Sequence, residues 1–133
     1  MNNRFKFRVW DKLAKRMIYP HNDNQQHFII DLNGRFHNLQ NGSGGDDYVI
    51  QQYTGLTGNN DDPIYDGDIL MYKSGSIPTT GVIGQVLYEA DHGGYIFQWE
   101  RKGPNQHHIN LNCDVAFESV IVGNILENPE LLK

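Results

Sequence analysis

Short apolar segments that alternate with turn-forming residues are the feature of this sequence that most limits its fold. Between Ile64 and Leu126, five such segments fall within about sixty residues, separated by turns of glycine, proline and asparagine. Strands of this length and spacing are typical of small antiparallel barrels. The sequence therefore predicts a mostly β fold with minor α structure, whose C-terminal part forms a small closed or nearly closed barrel.

The N-terminal part is also predicted to be β. Residues 4–10 alternate basic and apolar side chains, which places the apolar ones on one face of a strand and the basic ones on the other. Two further extended segments flank Asn33-Gly34, a dipeptide typical of a type I′ hairpin turn. We therefore predict a β-hairpin over 27–39.

The C-terminal part is predicted to contain five strands and one helical turn. Gly84, inside the second of these strands, indicates a bulge or a sharp bend. At the end of the chain Asn128 is a good N-cap residue and Pro129 stands at the first helical position, so a helical turn is expected at 128–132. The predicted strands are 69–72, 82–88, 95–99, 109–111 and 120–126.

The length of the chain limits it to one compact domain or two small lobes. A chain of 133 residues buries about two thirds of its surface on folding, which excludes a large multidomain enzyme. The loop at 57–63 is dense in glycine, asparagine and aspartate, as domain boundaries often are. We therefore expect an N-terminal β lobe at 1–62 packed on a C-terminal barrel lobe at 63–133.

Charge and cysteine content narrow the class of protein. The net charge is −5, although residues 1–16 carry six basic side chains and one acidic side chain, a local charge of +5. This balance argues against a protein that coats nucleic acid through a uniformly basic surface. A local basic stripe at residues 1–16 is still consistent with it. The single cysteine fits a reducing compartment, and no apolar run approaches the ~18 residues of a membrane-spanning helix. We therefore expect a cytoplasmic protein without a membrane partner.

Reactive side chains are present, but their spacing favours structural roles. Asp66 and Asp68 could act as an acid pair in glycoside hydrolysis, yet the first begins a turn and the second can bond local backbone N–H groups. Cys113 lies beside a carboxylate that disfavours a nucleophilic thiolate. His107 and His108 are neighbours on a predicted strand and point to opposite faces, which prevents them from sharing a metal ion. We predict no catalytic residue, no metal and no cofactor.

The polar face of the first predicted strand is the candidate binding surface. Arg4, Lys6, Arg8 and Trp10 project from this face together. Three cations and an indole in this arrangement suit the phosphates and bases of a nucleic acid, or an acidic protein surface. For Arg8 and Trp10 we favour the alternative, structural roles in ion pairing and packing, whereas Arg4 and Lys6 are expected to be exposed.

Four groups of residues, spread in order over nearly the whole chain, carry a family resemblance. They are Phe7-Arg8-Val9-Trp10-Asp11; Gln52-Tyr53-Thr54-Gly55-Leu56 with Ile64-Tyr65-Asp66-Gly67-Asp68-Ile69; Gly93-Gly94-Tyr95; and Val122-Gly123-Asn124-Ile125 with 127–132. Together they resemble the YopX family of bacteriophage and prophage proteins. The resemblance implies a mostly β protein with a C-terminal SH3-like barrel, encoded by a phage or prophage of a Gram-positive host. It implies no reaction and no catalytic residues.

Three hypotheses about function follow, in order of preference. The first is a non-enzymatic phage or prophage accessory protein that binds a phage or host macromolecule. The second is a nucleic-acid-associated factor that uses the basic first strand, and the third is a small hydrolase with an acidic site at 61–68. A homo-oligomer is also expected, because surplus aromatic side chains and open strand edges suit an interface between subunits.

Overall fold

The computed structural model describes residues 5–19, 27–73, 81–99 and 107–132. The chain is mostly β, as the sequence predicts. None of the helices in these ranges has the length and apolar character needed to cross a membrane. The strands are β1 (Phe7–Asp11), β2 (Arg16–Ile18), β3 (Phe28–Ile30), β4 (Phe36–Asn38), β5 (Tyr48–Thr57), β6 (Pro63–Tyr65), β7 (Asp68–Tyr72), β8 (Val82–Glu89), β9 (Gly94–Trp99), β10 (His107–Asn110) and β11 (Ser119–Asn124). The described ranges also contain one α-helix, α1 (Cys113–Phe117), and two 3₁₀ helices, Gly45–Asp47 and Pro129–Leu132.

The chain divides into two compact units, the first ending at Gln52 and the second beginning at Tyr53. Strand β5 runs through this division. Its first half pairs with β1, and its second half pairs with β6. The lobes 1–62 and 63–133 that the sequence suggests stay a prediction.

The N-terminal unit is built on the strand that the alternating sequence predicts. Val9 of β1 faces Ile18 of β2 on one side and Ile50 of β5 on the other, in antiparallel register. Val9, Ile18 and Phe36 are buried together, so the core of this unit joins β1, β2 and β4. Partly buried apolar side chains pack against this core: Phe28, Ile30, Tyr48 and Ile50.

The predicted hairpin is confirmed as β3 and β4, but its turn differs from the predicted two-residue type. The Asp31 N–H donates to the Arg35 carbonyl at 3.0 Å, so the loop contains three residues, 32–34. Asp31 Oδ1 accepts the N–H groups of Asn33 and Arg35 at 2.9 and 3.0 Å. Gly34 follows with φ of +79°, the left-handed conformation of a three-residue hairpin loop. The aspartate side chain thus sets the turn, because it satisfies the loop's backbone donors.

The C-terminal unit contains a five-stranded antiparallel sheet in the order β10-β9-β8-β7-β11, curled into a half-barrel. All five predicted C-terminal strands are present. The core lies on one face of the sheet, where α1 and β6 supply apolar side chains to it. The buried members are Ile64, Leu70, Tyr72, Val86, Phe97, Leu111, Val115 and Ala116.

Gly84 has a role in this sheet other than the predicted bulge in β8. The register of β8 with β7 is continuous through Gly84, and the register shift lies in β11 between Ile121 and Gly123. A Cβ on Gly84 would overlap the Gln98 carbonyl oxygen and lie 2.9 Å from the Phe97 ring. Glycine is therefore required at 84 because the neighbouring strand and its aromatic ring approach closely.

Candidate functional site

Arg8, one of the four candidate binding residues, is buried within the N-terminal unit. Its side chain is 3% exposed, and its Nε donates to Gln51 Oε1 on β5 at 2.8 Å. The guanidinium carbon lies 6.0 Å from the centroid of the Tyr19 ring. A buried cation needs such partners, so Arg8 stabilises the packing of β1 and β5. The partner shown for Arg8 is the neutral Gln51 amide, so the structural role favoured from the sequence, which included an ion pair, stays a prediction.

The other three candidates have different surroundings. Trp10 is half-buried on β1, facing Met17 and Val49 across the sheet. Lys6 is exposed just before β1. Arg4 lies outside the described residues. Of the two candidate cations that the structure describes, Lys6 is exposed and Arg8 is buried.

A cleft of about 330 Å³ opens on the N-terminal unit beside Lys6. The apolar face of β1, the chain just before it, the end of β2 and the strand β3 form its walls. We call it the β1–β3 cleft. Its lining residues are Phe5, Lys6, Phe7, Val9, Ile18, Tyr19, Phe28, Ile29, Ile30 and Phe36.

The chemistry of the β1–β3 cleft is apolar and aromatic, with one charge. Phe5 is 65% exposed and Ile29 is 43% exposed, so large apolar side chains reach solvent here. Among the described residues that line the cleft, Lys6 carries the only formal charge. A concave apolar site with few polar groups and a volume of about 300–1,000 Å³ is typical of ligand sites. The arrangement can therefore bind an apolar group that carries a negative charge.

Sequence reasoning did not select β3 as part of a site. The signal present in the sequence is the run Phe28-Ile29-Ile30, three large apolar residues without alternation. A strand that buries one face must expose the middle residue of such a run. Ile29 is that residue.

Asp66 and Asp68, the acid pair suggested for hydrolysis, differ in burial. Asp68 is 1% exposed, and its Oδ2 accepts the Tyr65 N–H at 2.8 Å. Asp66 lies in the turn between β6 and β7 and is half-buried. The bond to Tyr65 closes that turn, which favours the structural interpretation of Asp68.

The cysteine and the histidines also have local partners. Cys113 is exposed at the start of α1, with Sγ 4.0 Å from Asp114 Oδ1. The His107 ring stacks on Trp99 with 5.7 Å between centroids, and the His108 ring lies 5.3 Å from that of His92. Within the described ranges, no three His, Cys, Asp or Glu side chains gather as metal ligands.

Comparison with known proteins decides the family. The sequence model of the YopX protein family matches residues 6–133. The chain belongs to the YopX family. It is also similar to the crystal structure of protein EF1440 from Enterococcus faecalis, with 27% sequence identity and a TM-score of 0.59. That similarity covers 96% of this chain and 97% of the other. No curated protein matches the chain.

In the C-terminal unit, one of the segments that resemble the YopX family forms a turn bonded to two other parts of the chain. Gly67 lies between β6 and β7 with φ of +87°. Its N–H donates to the Val86 carbonyl, and its carbonyl accepts the Ile125 N–H, both at 2.9 Å. This turn therefore joins β8 to the chain that leaves β11.

In a second segment that resembles the YopX family, two asparagines hold the turn that follows β11. Asn124 Oδ1 accepts the N–H groups of Leu126 and Glu127 at 3.1 and 2.9 Å. Asn128 Oδ1 accepts the Asn124 N–H at 3.2 Å, and the Asn128 N–H donates to the Asn124 carbonyl at 2.8 Å. A Cβ on Gly123 would lie 2.6 Å from Asn128 Oδ1, so glycine makes room for the amide. These contacts give both asparagines structural roles.

A titratable pair lies in the hairpin that borders the cleft. His37 Nε2 and Asp31 Oδ2 are 2.9 Å apart. The pKa of Asp31 is lowered from its ordinary 3.8, first by this bond to His37 and then by the backbone N–H of Arg35. The hairpin turn next to β3 is therefore held by a carboxylate that favours its ionised form.

Proposed function

We propose that this YopX protein is a non-enzymatic accessory protein of a phage or prophage that binds a phage or host protein in the β1–β3 cleft. The cleft is the observation that carries the proposal: its walls are apolar and aromatic, and Lys6 adds one positive charge. Exposed apolar surface that is concave and rimmed by a polar group is typical of binding sites. Membership in the YopX family supports the phage or prophage origin.

A protein partner is favoured over a nucleic acid. Phosphate binding uses several cations that project together, since each neutralised phosphate adds to the affinity. Arg8 is buried and bonded to Gln51, and Lys6 is the one cation among the described residues lining the cleft. An apolar wall with one lysine is better matched by an apolar peptide segment that contains a carboxylate.

The proposal assigns no reaction, and the placement of the reactive groups supports this. A glycosidase needs two carboxyl groups about 5–9.5 Å apart across a cleft that admits the sugar. Asp68 is buried and bonded to the Tyr65 backbone, which removes it from such a role.

Three further features belong to the same proposal. The curled five-stranded sheet of the C-terminal unit supports an SH3-like barrel, a fold that commonly serves as a binding module. A cytoplasmic location is supported by the single cysteine. Homo-oligomerisation stays a prediction, which sedimentation of the full chain at several concentrations measures directly.

The test of the proposed function is selection of random displayed dodecapeptides against the full chain. We expect enrichment of peptides that combine apolar residues with aspartate or glutamate. A synthetic peptide with an enriched sequence should bind the Phe5→Ser variant about tenfold more weakly than the wild type, because a large side chain of the cleft wall is lost. Leu13→Ser is the matched control: Leu13 is exposed in the turn between β1 and β2, outside the cleft.

Two results would overturn the proposed function. One is that no enriched peptide distinguishes Phe5→Ser from Leu13→Ser. The other is that single-stranded DNA or RNA binds the full chain with a steep salt dependence and loses this binding in Lys6→Glu, which would establish the nucleic-acid alternative. Both exposed substitutions leave the buried core intact, and circular dichroism confirms that the variants fold.

A further inference from the structure

The two edges of the β3–β4 hairpin differ in their backbone pairing. On the β4 edge, the Asn38 N–H donates to the Ser43 carbonyl at 2.8 Å, and the Gly42 N–H donates to the Asn38 carbonyl at 2.9 Å. Gly44 continues this edge as a bridge partner of His37. The segment after β4 therefore covers that edge with its own backbone.

The β3 edge is not covered in this way. Within the part of the chain that the structure describes, β3 pairs with β4 alone. Facing residues of an antiparallel pair alternate between those that exchange hydrogen bonds and those that do not. His27 bonds Leu39, and Asp31 bonds Arg35, at 2.7 and 3.0 Å. The alternation then directs the backbone of Ile29 toward β4.

The same alternation directs the N–H and C=O groups of Phe28 and Ile30 away from β4. Both residues line the β1–β3 cleft, and so does Ile29 between them. Successive side chains of a strand point to opposite faces, so a cleft touched by all three residues runs along the strand's edge. The outward backbone groups of Phe28 and Ile30 therefore border the cleft.

We propose that the β1–β3 cleft binds its partner by strand addition: an extended peptide pairs with the edge of β3 that faces away from β4 and places a carboxylate near Lys6. This inference rests on the proposed function and names its binding mode. Alternating N–H and C=O groups match another extended backbone, whereas a nucleic-acid backbone offers acceptors to them and few donors. The apolar walls receive side chains of the added strand, and an ammonium group with three N–H donors receives the carboxylate.

Amide hydrogen exchange of the full chain, with and without the selected peptide, tests the binding mode residue by residue. The Phe28 and Ile30 amides should exchange rapidly in the free protein and slow by about tenfold or more in the complex, because they gain acceptors. Ile29 provides an internal control, since its amide already faces β4. If the peptide binds in a Phe5-dependent manner without slowing Phe28 and Ile30, strand addition is overturned while the proposed function stands.

Backbone methylation of the selected peptide gives an independent measurement. Methyl groups on the alternate nitrogens that face β3 should weaken binding about tenfold or more, whereas methyl groups on the other set should have little effect. Equal effects of the two sets would contradict pairing along one edge. Failure to obtain any peptide that requires the cleft would overturn both the proposed function and this inference.

Charge variants and concentration complete the test. Lys6→Glu should weaken an acidic peptide about tenfold, and Lys12→Glu, which changes an exposed cation outside the cleft, should not. Ile29→Lys should block pairing as an edge lysine does, with Leu32→Lys in the exposed turn as its control.

If Phe28 and Ile30 are already protected in the free protein, the edge is occupied by a second copy or by the chain itself, and the proposal is wrong. Dependence of that protection on protein concentration separates these two occupants.

Discussion

The two units of the chain use their apolar side chains differently. Among the described residues, the C-terminal unit buries eight members of one core cluster, while the N-terminal unit buries three. Both units also expose some large apolar side chains, but in the N-terminal unit two of them, Phe5 and Ile29, line the same concave surface, the β1–β3 cleft. The larger buried core predicts that the C-terminal unit contributes more to stability, whereas the proposed binding surface lies on the N-terminal unit.

The hydrogen-bonding groups of the two units can be compared in the same way. In the C-terminal unit, the side chains of Asp68 and Asn124 are buried and accept backbone N–H groups from neighbouring turns. In the N-terminal unit, β3 directs backbone groups outward at Phe28 and Ile30. Two of the C-terminal segments that resemble the YopX family, around Asp68 and around Asn124, therefore have roles in folding.

The largest expected effect compares one residue type in the two units. Phe97→Ala should lower the free energy of unfolding by about 4 kcal/mol, because Phe97 is fully buried in the C-terminal core. Phe5→Ala should change it by less than about 0.5 kcal/mol, since Phe5 is mostly exposed. Urea unfolding followed by circular dichroism measures both. Similar losses for the two variants would contradict the division of roles.

Much of the fold could be predicted because strand alternation is a local property of sequence. The pattern of β1 and the apolar segments of β7, β8 and β9 each identify a strand without knowledge of the partner. Helix α1 was missed because five residues are too few to show helical periodicity, although Asn112 accepts the Val115 N–H as an N-cap. Strand β6 was missed as a separate element because it is three residues long and begins with Pro63.

The candidate site could be predicted only in part because it depends on pairing between distant segments. The alternation in β1 identified Lys6 and Arg8 as a group, but burial of Arg8 depends on Gln51, 43 residues later. The cleft depends on how β3 comes to lie near β1 and the end of β2, which are distant from it in pairing. No local pattern contains that information.

An intermediate effect is expected where polar groups hold the C-terminal unit. Asn124→Ala should destabilise the protein by about 2 kcal/mol, because the part-buried N–H groups of Leu126 and Glu127 lose the acceptor that the buried Asn124 side chain provides. Asn59→Ala is the control: Asn59 Nδ2 donates to the Phe117 carbonyl at 3.0 Å in an exposed position. A loss below about 1 kcal/mol is expected there. Thermal and urea unfolding measure the difference, and equal losses would show that burial does not decide the contribution.

A smaller effect should distinguish the closed edge of the hairpin from the open one. A Cβ at Gly44 would overlap the Phe36 carbonyl oxygen, so Gly44→Ala should cost about 1–2 kcal/mol by overpacking. Exchange of the Asn38 amide, which donates to Ser43, should accelerate as this edge loosens. Gly94→Ala is the control, because a Cβ there meets nothing within 4 Å. Unchanged exchange at Asn38 would mean that Gly44 does not hold the β4 edge closed.

The smallest effect is a pH dependence of the hairpin that borders the cleft. Because the pKa of Asp31 is lowered in the folded protein by His37 and by backbone N–H groups, its ionised form stabilises the hairpin. This contribution is present above the ordinary value of 3.8 and is lost as the pH falls through the lowered folded value. Amide exchange at Arg35, corrected for intrinsic rates, should show weaker protection in acid for the wild type. Asp31→Asn should reduce that pH dependence, and His37→Ala should reduce it less, since the backbone donors remain. An identical acid response in all three proteins would show that the ionised Asp31 side chain does not hold the turn.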